Sequence, residues 1–497
     1  MQESTFVASK PTQDRVIYYP PHKMYAFEHG WNLTRGMVEY FIGNANNNAR
    51  KCSQYIGKQF DQASDGGETF IAWVVAIFVV PYIAIQYSVL LFIMSVLVSV
   101  HAALLIILMS LSLLLIWLLR SCSWLRRRVY GIYYRCPRAY CYAEMPVPTF
   151  ICPQCKALHS RLWPSVYGIF RHKCRCGAKL RTMDLWGRKK LVRICPECRA
   201  ELNAAYGTGT NIDIPIIGGP SAGKTNYIIA ATAALIRTYA TDPYNYTISF
   251  SEPAQRQHFE ASLWSLQRGE RLAKTPDVAP EAYNLKIKVP SVRVPHLLFF
   301  YDAAGEAFSA DLSTGLQAYY KYIKGIILIV DPCSIATYRR HHQDEIEPIR
   351  SFLGPSELDV EEMCNRMLHS IEMYRMERMA GRYPVPVAVV MTKVDALGLE
   401  DEVGASAAQR LRASCSSAMT EGDAINQLVQ DFFRKHGLSN FMDQLENRFA
   451  EVRYFSCSAL GRLPTDTDKS AFVPIRVLDS FTWILRRSGV MKSTTKV

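Results

Sequence analysis

The chain has 497 residues, of which 49% are hydrophobic, with 14 cysteines and a formal net charge of +13. That length exceeds one ordinary domain and points to three or more parts. The basic balance leaves room for an anionic partner, and the first 60 residues hold no apolar core of the kind a cleavable signal peptide needs, so none is expected.

Residues 1–68 are polar and mixed and read as an N-terminal cytoplasmic segment. Tyr18-Tyr19-Pro20-Pro21 reads as extended. Residues 37–42 read as the opening of a short amphipathic helix, and residues 44–48 and 64–67 as breaks. Asn32-Leu33-Thr34 matches the glycosylation tripeptide, a common chance match, and the topology below places it inside the cell.

Residues 70–119 are almost wholly apolar and carry no formal charge; Gln86 and His101 are the main polar interruptions. A helix crosses a bilayer in about 20 residues, so the run is too long for one span. It reads as a transmembrane helical hairpin over 69–120, with helices near 70–92 and 97–119. A hydrophobic pair buried in a soluble domain would normally show polar faces. Arg120, Arg126, Arg127 and Arg128 mark the following end as cytoplasmic, and two spans return the N-terminus to the same side. His101 reads as a helix-contact or turn residue, with a functional role as the alternative.

Eight cysteines then fall in four pairs within residues 121–205: Cys136/Cys141, Cys152/Cys155, Cys174/Cys176 and Cys195/Cys198. Close pairs on knuckle turns deliver four thiolates to a tetrahedral zinc at little cost in chain entropy. Four pairs imply two structural zinc ions in a double zinc-ribbon linker domain. The expected pairing is sequential, Cys136/Cys141/Cys152/Cys155 and Cys174/Cys176/Cys195/Cys198; a nested pairing of outer with outer and inner with inner is the alternative. Disulfides would not suit a reducing cytoplasm. His159 and His172 read as non-ligands. Residues 120–199 contain 18 Lys/Arg against 3 Asp/Glu. Membrane lipid headgroups are the economical partner for this charge, and nucleic acid is the other that fits.

The next stretch is Ile212-Asp213-Ile214-Pro215-Ile216-Ile217, a buried strand by composition, then Gly218-Gly219-Pro220-Ser221-Ala222-Gly223-Lys224-Thr225-Asn226, then an alanine-rich helix. Glycines let backbone N–H groups meet phosphate oxygens, Lys224 reaches the β- and γ-phosphates, and the Thr225 hydroxyl ligates Mg²⁺. A glycine turn that matches by accident would lack the flanking strand and helix. Further on, a strand over residues 296–302 ends in Asp302-Ala303-Ala304-Gly305-Glu306, where Asp302 can hold Mg²⁺ through water and the Gly305 N–H can sense a γ-phosphate. Residues 325–330 form another strand, closed by Asp331-Pro332. A strand over 385–391 leads into Thr392-Lys393-Val394-Asp395, whose carboxylate can accept two hydrogen bonds from guanine and none from the matching edge of adenine. Ser458-Ala459-Leu460 has the form of a loop whose backbone N–H meets the guanine O6. Four such motifs in order, each at a strand's carboxyl end, belong to an open α/β sheet.

This series resembles the small-GTPase-like P-loop proteins and, more closely, the bacterial double-GTPase domain family, over roughly residues 130–497. The resemblance implies a P-loop sheet flanked by helices over 206–497, with zinc ribbons before it. It also implies GTP with Mg²⁺ as ligands, GTP hydrolysis, and a place in bacterial conflict or anti-phage systems beside other proteins, a second GTPase among them. With the apolar run it places the protein at a bacterial inner membrane, ribbon and GTPase domains in the cytoplasm. Two positions depart from the pattern. Thr392 stands where asparagine is usual, which should weaken the bracing of that loop. Glu306 stands where many small GTPases have a water-orienting glutamine. Thr275, in Lys274-Thr275-Pro276, best matches the switch threonine that completes the Mg²⁺ shell. A nucleotide-gated scaffold without efficient turnover, and a nucleic-acid sensor using the ribbons, are the rival functions.

Two regions exceed a minimal domain of this kind. Residues 238–272 suggest a strand over 246–251 and a helix over 253–267. Residues 333–383 are charged and Met-rich, with Arg339-Arg340-His341-His342 at their start. Both read either as partner-docking additions or as solvated helices that fill out the fold, with the two histidines at the surface.

Overall fold

The structure is a computed structural model. It describes residues 28–66, 69–136, 141, 143–202, 207, 209–241, 243–268, 270, 272, 282–290, 292, 294–302, 320, 322–356, 358–373, 378–414, 419–463 and 470–491. The chain divides into two compact units: Met1–Arg126 with Thr149–Val192, and Arg127–Pro148 with Arg193–Val497.

The first unit is built on two long helices, α1 (Glu28–Gly66) and α2 (Thr69–Tyr130), α2 ending just past the unit's boundary. Neither follows the sequence expectation. α1 is one helix of 39 residues that runs through Asn44–Asn48; asparagine costs a helix only about 0.7 kcal/mol per residue, too little to stop it. α2 is one helix of 62 residues, where a hairpin of two helices near 70–92 and 97–119, joined by a short turn of open position, was expected. The interval between those two ranges offers Ile93, Met94, Ser95 and Val96, with no Gly, Pro, Asn or Asp to end a helix. The Ser95 hydroxyl donates back to the Phe92 carbonyl, so it too is satisfied inside the helix. A Cβ on Gly30 would meet the Leu105 side chain at 2.8 Å, so glycine lets α1 approach α2 there. α2 is apolar and long enough to cross a membrane from Val80 onward, and Phe78, Phe92 and Trp117 stand 71%, 68% and 63% exposed on it. Side chains of that size need a cover other than water.

Eight short strands follow as four hairpins: β1 (Tyr134–Arg135) with β2 (Glu144–Met145), β3 (Thr149–Ile151) with β4 (Leu158–His159), β5 (Arg171–Lys173) with β6 (Lys179–Arg181), and β7 (Arg193–Ile194) with β8 (Glu201–Leu202). β3 to β6 belong to the first unit; β1, β2, β7 and β8 belong to the second.

The second unit holds a seven-stranded sheet of β9 (Thr210–Gly218), β10 (Thr247–Phe250), β11 (Ala282–Lys288), β12 (His296–Asp302), β13 (Ile326–Val330), β14 (Tyr383–Met391) and β15 (Phe449–Ser456). Its order is β10-β11-β12-β9-β13-β14-β15. β10 and β11 pair antiparallel, as do β11 and β12; the other neighbours are parallel. β9 and β13 are central and buried on both faces; β13 is accordingly an unbroken apolar run, whereas β9 sets Asn211 and Asp213 among its isoleucines, each held by a partner, the Tyr133 carbonyl and Arg135. The order reverses at β9, so its carboxyl end opens a crevice between crossovers to either side.

Helices cover both faces: α3 (Lys224–Tyr239), α4 (Pro253–Gln267), α5 (Ala336–His341), α6 (Gln343–Leu353), α7 (Val360–Met373), α8 (Leu399–Val403), α9 (Ala405–Ser414), α10 (Glu421–Lys435), α11 (Ser439–Arg448) and α12 (Val477–Arg487). One apolar layer joins Ile214, Phe300 and Val390 to Tyr227 of α3 and Phe481 of α12. The other joins Leu328 and Val389 to Met363 and Met367 of α7 and Phe433 of α10. The first long region is β10 and α4, close to the expected bounds. The second supplies α5 to α7; Met363 and Met367 fill this core, while Met373 and Met379 stand 53% and 69% exposed. His342 lies against Tyr338 at 4.4 Å between ring centres, and the His341 ring nitrogen meets the Thr337 carbonyl at 2.7 Å, so both histidines are engaged at the surface.

Candidate nucleotide site and cysteine centres

β9 ends at Gly218 and α3 begins at Lys224. Between them Ser221 and Gly223 adopt φ of 58° and 89°, the left-handed turn that aims successive N–H groups to one side. Gly223 meets nothing within 4 Å at its Cβ position, so its glycine serves conformation, whereas a Cβ on Gly219 would strike the Ser356 Oγ at 2.2 Å. Lys224 is buried, and its ammonium donates to the Gly218 carbonyl at 3.0 Å and the Gly219 carbonyl at 2.9 Å.

The Thr392 hydroxyl is buried and donates to the Ala222 carbonyl at 2.9 Å. Its own N–H donates to Val330 at 3.0 Å. Threonine thus meets the glycine turn through one hydroxyl bond. Lys393 has φ of 57°, and its ammonium meets the Asp331 carboxylate at 2.7 Å and the Leu353 and Gly354 carbonyls at 3.0 and 2.8 Å. Asp331 also accepts from the N–H of Cys333 and of Ser356. This fully buried carboxylate thus ties the Thr392–Asp395 loop to the end of α6. Burial, and then Asp331, push the Cys333 thiol up to about 12. Cys457 is likewise raised, by burial first and then by Asp395 and Asp479, so both remain neutral thiols.

The Ser458 hydroxyl accepts from the N–H of Leu460 and Gly461, which shapes the last loop. The Cys457 N–H donates to Met391 at 2.8 Å and links that loop to the one at Thr392.

These loops enclose one cavity of about 270 Å³. Ser221, Gly223 and Asn226 line one part; Thr392, Lys393, Asp395, Ser458, Ala459 and Leu460 line another. Nine of the residues singled out from sequence therefore meet around one space. Among the described residues the Asp395 carboxylate shows no hydrogen-bond partner, so its oxygens are available to the cavity. Gly218, Gly219, Ala222, Lys224 and Thr225 sit on the adjoining turn and first helical turn. Asp302 closes β12 opposite Ile216, its backbone alone being described. Thr275, Gly305 and Glu306 lie outside the described residues. Sequence reasoning missed Phe352 and Gly354, which also line the cavity, and the central part of Asp331. The Asp331-Pro332 pair at a strand end was the available signal for the last.

Residues 212–448 match the family model Double-GTPase 2. The resemblance read from the motifs is borne out, and the double-GTPase family suggests a GTP-binding domain. No curated protein matches the chain. The double-GTPase match stops at the end of α11, yet β15 continues the sheet beside β14, and the Ser458–Leu460 loop closes the same cavity.

The eight paired cysteines form two quartets, each with its sulfurs within 4.8 Å of one another. They are Cys136/Cys141/Cys195/Cys198 and Cys152/Cys155/Cys174/Cys176, so the expected sequential pairing is wrong and the nested one holds. The reason lies in the hairpins: β1–β2 and β7–β8 bring the outer pairs into one unit, and β3–β6 bring the inner pairs into the other. Tetrahedral thiolates at the usual Zn–S length lie about 3.8 Å apart. The measured Cys136–Cys198 and Cys141–Cys195 separations are 3.5 and 3.7 Å, and those of Cys152–Cys176 and Cys155–Cys174 are 3.7 and 3.4 Å. Both quartets can hold zinc. His159 is buried beside the inner one, its Nε2 3.2 Å from the Cys174 sulfur, while His172 Nε2 lies 3.0 Å from the Ser165 hydroxyl.

Proposed function

We propose that the protein is a membrane-anchored GTP-binding switch that hydrolyses GTP to GDP with Mg²⁺. The observation that carries this is the single cavity in which Asp395 and the Ser458–Leu460 loop face the Gly218–Thr225 turn. Asp395 selects guanine by accepting from its ring N–H and amino group, and Ala459 offers its backbone N–H to the guanine carbonyl, in the loop that Ser458 shapes by holding the Leu460 N–H. The turn and Lys224 hold the phosphates. Thr225, Thr275 and Asp302 hold Mg²⁺, which neutralises phosphate charge when bound. Gly305 senses the γ-phosphate, and Glu306 orients or deprotonates the attacking water. Two zinc ions stabilise the ribbons, and α2 anchors the chain in a bacterial inner membrane with the ribbons and GTPase domain on the cytoplasmic side. The family resemblance supports a role in conflict or anti-phage defence beside a second GTPase.

The test is nucleotide binding and turnover by the purified full chain. GTP should bind in preference to ATP, and hydrolysis should require Mg²⁺. Lys224→Ala should weaken GTP binding by about a hundredfold, since it removes charge-assisted phosphate contacts, with zinc content and helicity unchanged. Undiminished affinity in that variant, or equal competition by ATP in the parent, sinks the reading; tight GTP binding with no turnover replaces the enzyme by a nucleotide-gated scaffold.

A further inference from the structure

We propose that the β5–β6 hairpin of the inner cysteine ribbon docks on the anionic headgroups of a lipid bilayer. The hairpin sets Arg171 directly opposite Arg181, and Lys173 directly opposite Lys179. All four side chains are exposed, while His172 and Leu180 fill the buried face. Arg175, in the connecting turn, is exposed as well. Like charges directly opposite on one face of a hairpin destabilise it. Among the described residues none of the five has an acidic partner. The one acid between residues 149 and 192 is Asp184, and Arg188 holds it at 2.7 Å. An anion from outside the chain is what this face lacks.

Two further observations select a membrane. Apolar groups adjoin the charges: Phe170, half exposed, packs on Trp186 at 4.9 Å between ring centres, and Leu185 stands 64% exposed. Basic side chains with aromatic and leucine neighbours suit the headgroup boundary of a bilayer. The second is placement. Arg120 is the first charged residue after the apolar run of α2. Its Nε donates to the Pro164 carbonyl at 2.7 Å, and its guanidinium lies over the Trp163 ring at 5.2 Å. The ribbon is thereby fastened to α2 where the apolar run ends, the level of a membrane surface. This rests on the reading of α2 as a membrane anchor.

The full chain is reconstituted into nanodiscs of phosphatidylcholine, alone or with phosphatidylglycerol, and hydrogen exchange is followed in residues 170–181. Exchange should slow by roughly tenfold in the anionic discs, as expected for several basic residues held near a charged surface. The variant Arg171→Gln/Lys173→Gln/Lys179→Gln/Arg181→Gln should lose that difference while keeping the parent's zinc content. Equal exchange in both lipids overturns the proposal. So does stronger protection by an RNA or DNA duplex in neutral discs, which would assign the face to nucleic acid. A chain that stays soluble without lipid or detergent overturns the anchor reading, and this one with it.

Discussion

The two cysteine quartets each bury two of their four thiols and differ in what surrounds the other two. In the outer quartet Cys136 and Cys195 are fully buried and belong to the same apolar cluster as Tyr134, Leu202, Leu297 and Phe299. Arg135, next in the chain, reaches Asp213 on β9 at 3.5 Å and lies over the Tyr322 ring at 3.5 Å. The Asn211 amide donates to the Tyr133 carbonyl, and the Thr210 hydroxyl to that of Tyr130. This quartet is part of the same unit as the Gly218–Thr225 turn. In the inner quartet Cys155 and Cys176 are exposed, and the surrounding segment has ten basic residues against one acid. A metal centre that shares a core fixes a fold; one at a charged edge presents a surface. The spacing of the cysteines alone does not distinguish the two.

The comparison breaks most sharply at Cys195. Cys195→Ser removes a buried ligand from a shared core, with an expected cost on the order of 4 kcal/mol, a large part of an ordinary domain's stability. Thermal unfolding of the whole GTPase domain should move down together with loss of one zinc. An unchanged melting temperature would detach the outer quartet from the fold. Arg135→Ala is expected to cost about 2 kcal/mol, since it strips a buried carboxylate of one ionic partner and an aromatic ring of its cation. Chemical denaturation checks it, and a loss within error would make that contact incidental. Cys176→Ser should have the smallest effect on the nucleotide domain: one zinc lost by elemental analysis, with GTP affinity changed less than about twofold and residues 149–192 exchanging faster. A large fall in GTP affinity would erase the distinction between the quartets.

Much of the second unit was legible in the sequence because its signals are local. A buried strand feeding a glycine turn and a helix, and strands ending in Asp302, Asp331 and Thr392, fix both the elements and the end of the sheet at which they meet. Two kinds of feature were not legible. Pairing between cysteine knuckles depends on which hairpins share a core, and the spacings of Cys136 to Cys198 are the same in either pairing. The length of α2 depends on the absence of a stop signal, and a run of 50 apolar residues without glycine or proline near its middle argues for a turn only through bilayer thickness. Thr392 departs from the usual residue type and still contacts the glycine turn, through one hydroxyl bond to the Ala222 carbonyl.

The central claim is that this cavity reads a guanine base through Asp395. Asp395→Asn replaces two acceptors by one acceptor and a donor, which suits xanthine, whose ring bears a carbonyl where guanine bears an amino group. Competition binding of GTP and xanthosine triphosphate to the parent and the variant is the direct test. The parent should prefer GTP, and the variant should lose GTP affinity by roughly a hundredfold, the cost of leaving buried hydrogen-bonding groups mismatched, while gaining affinity for xanthosine triphosphate. A variant that binds GTP as well as the parent and ignores xanthosine triphosphate would contradict the account.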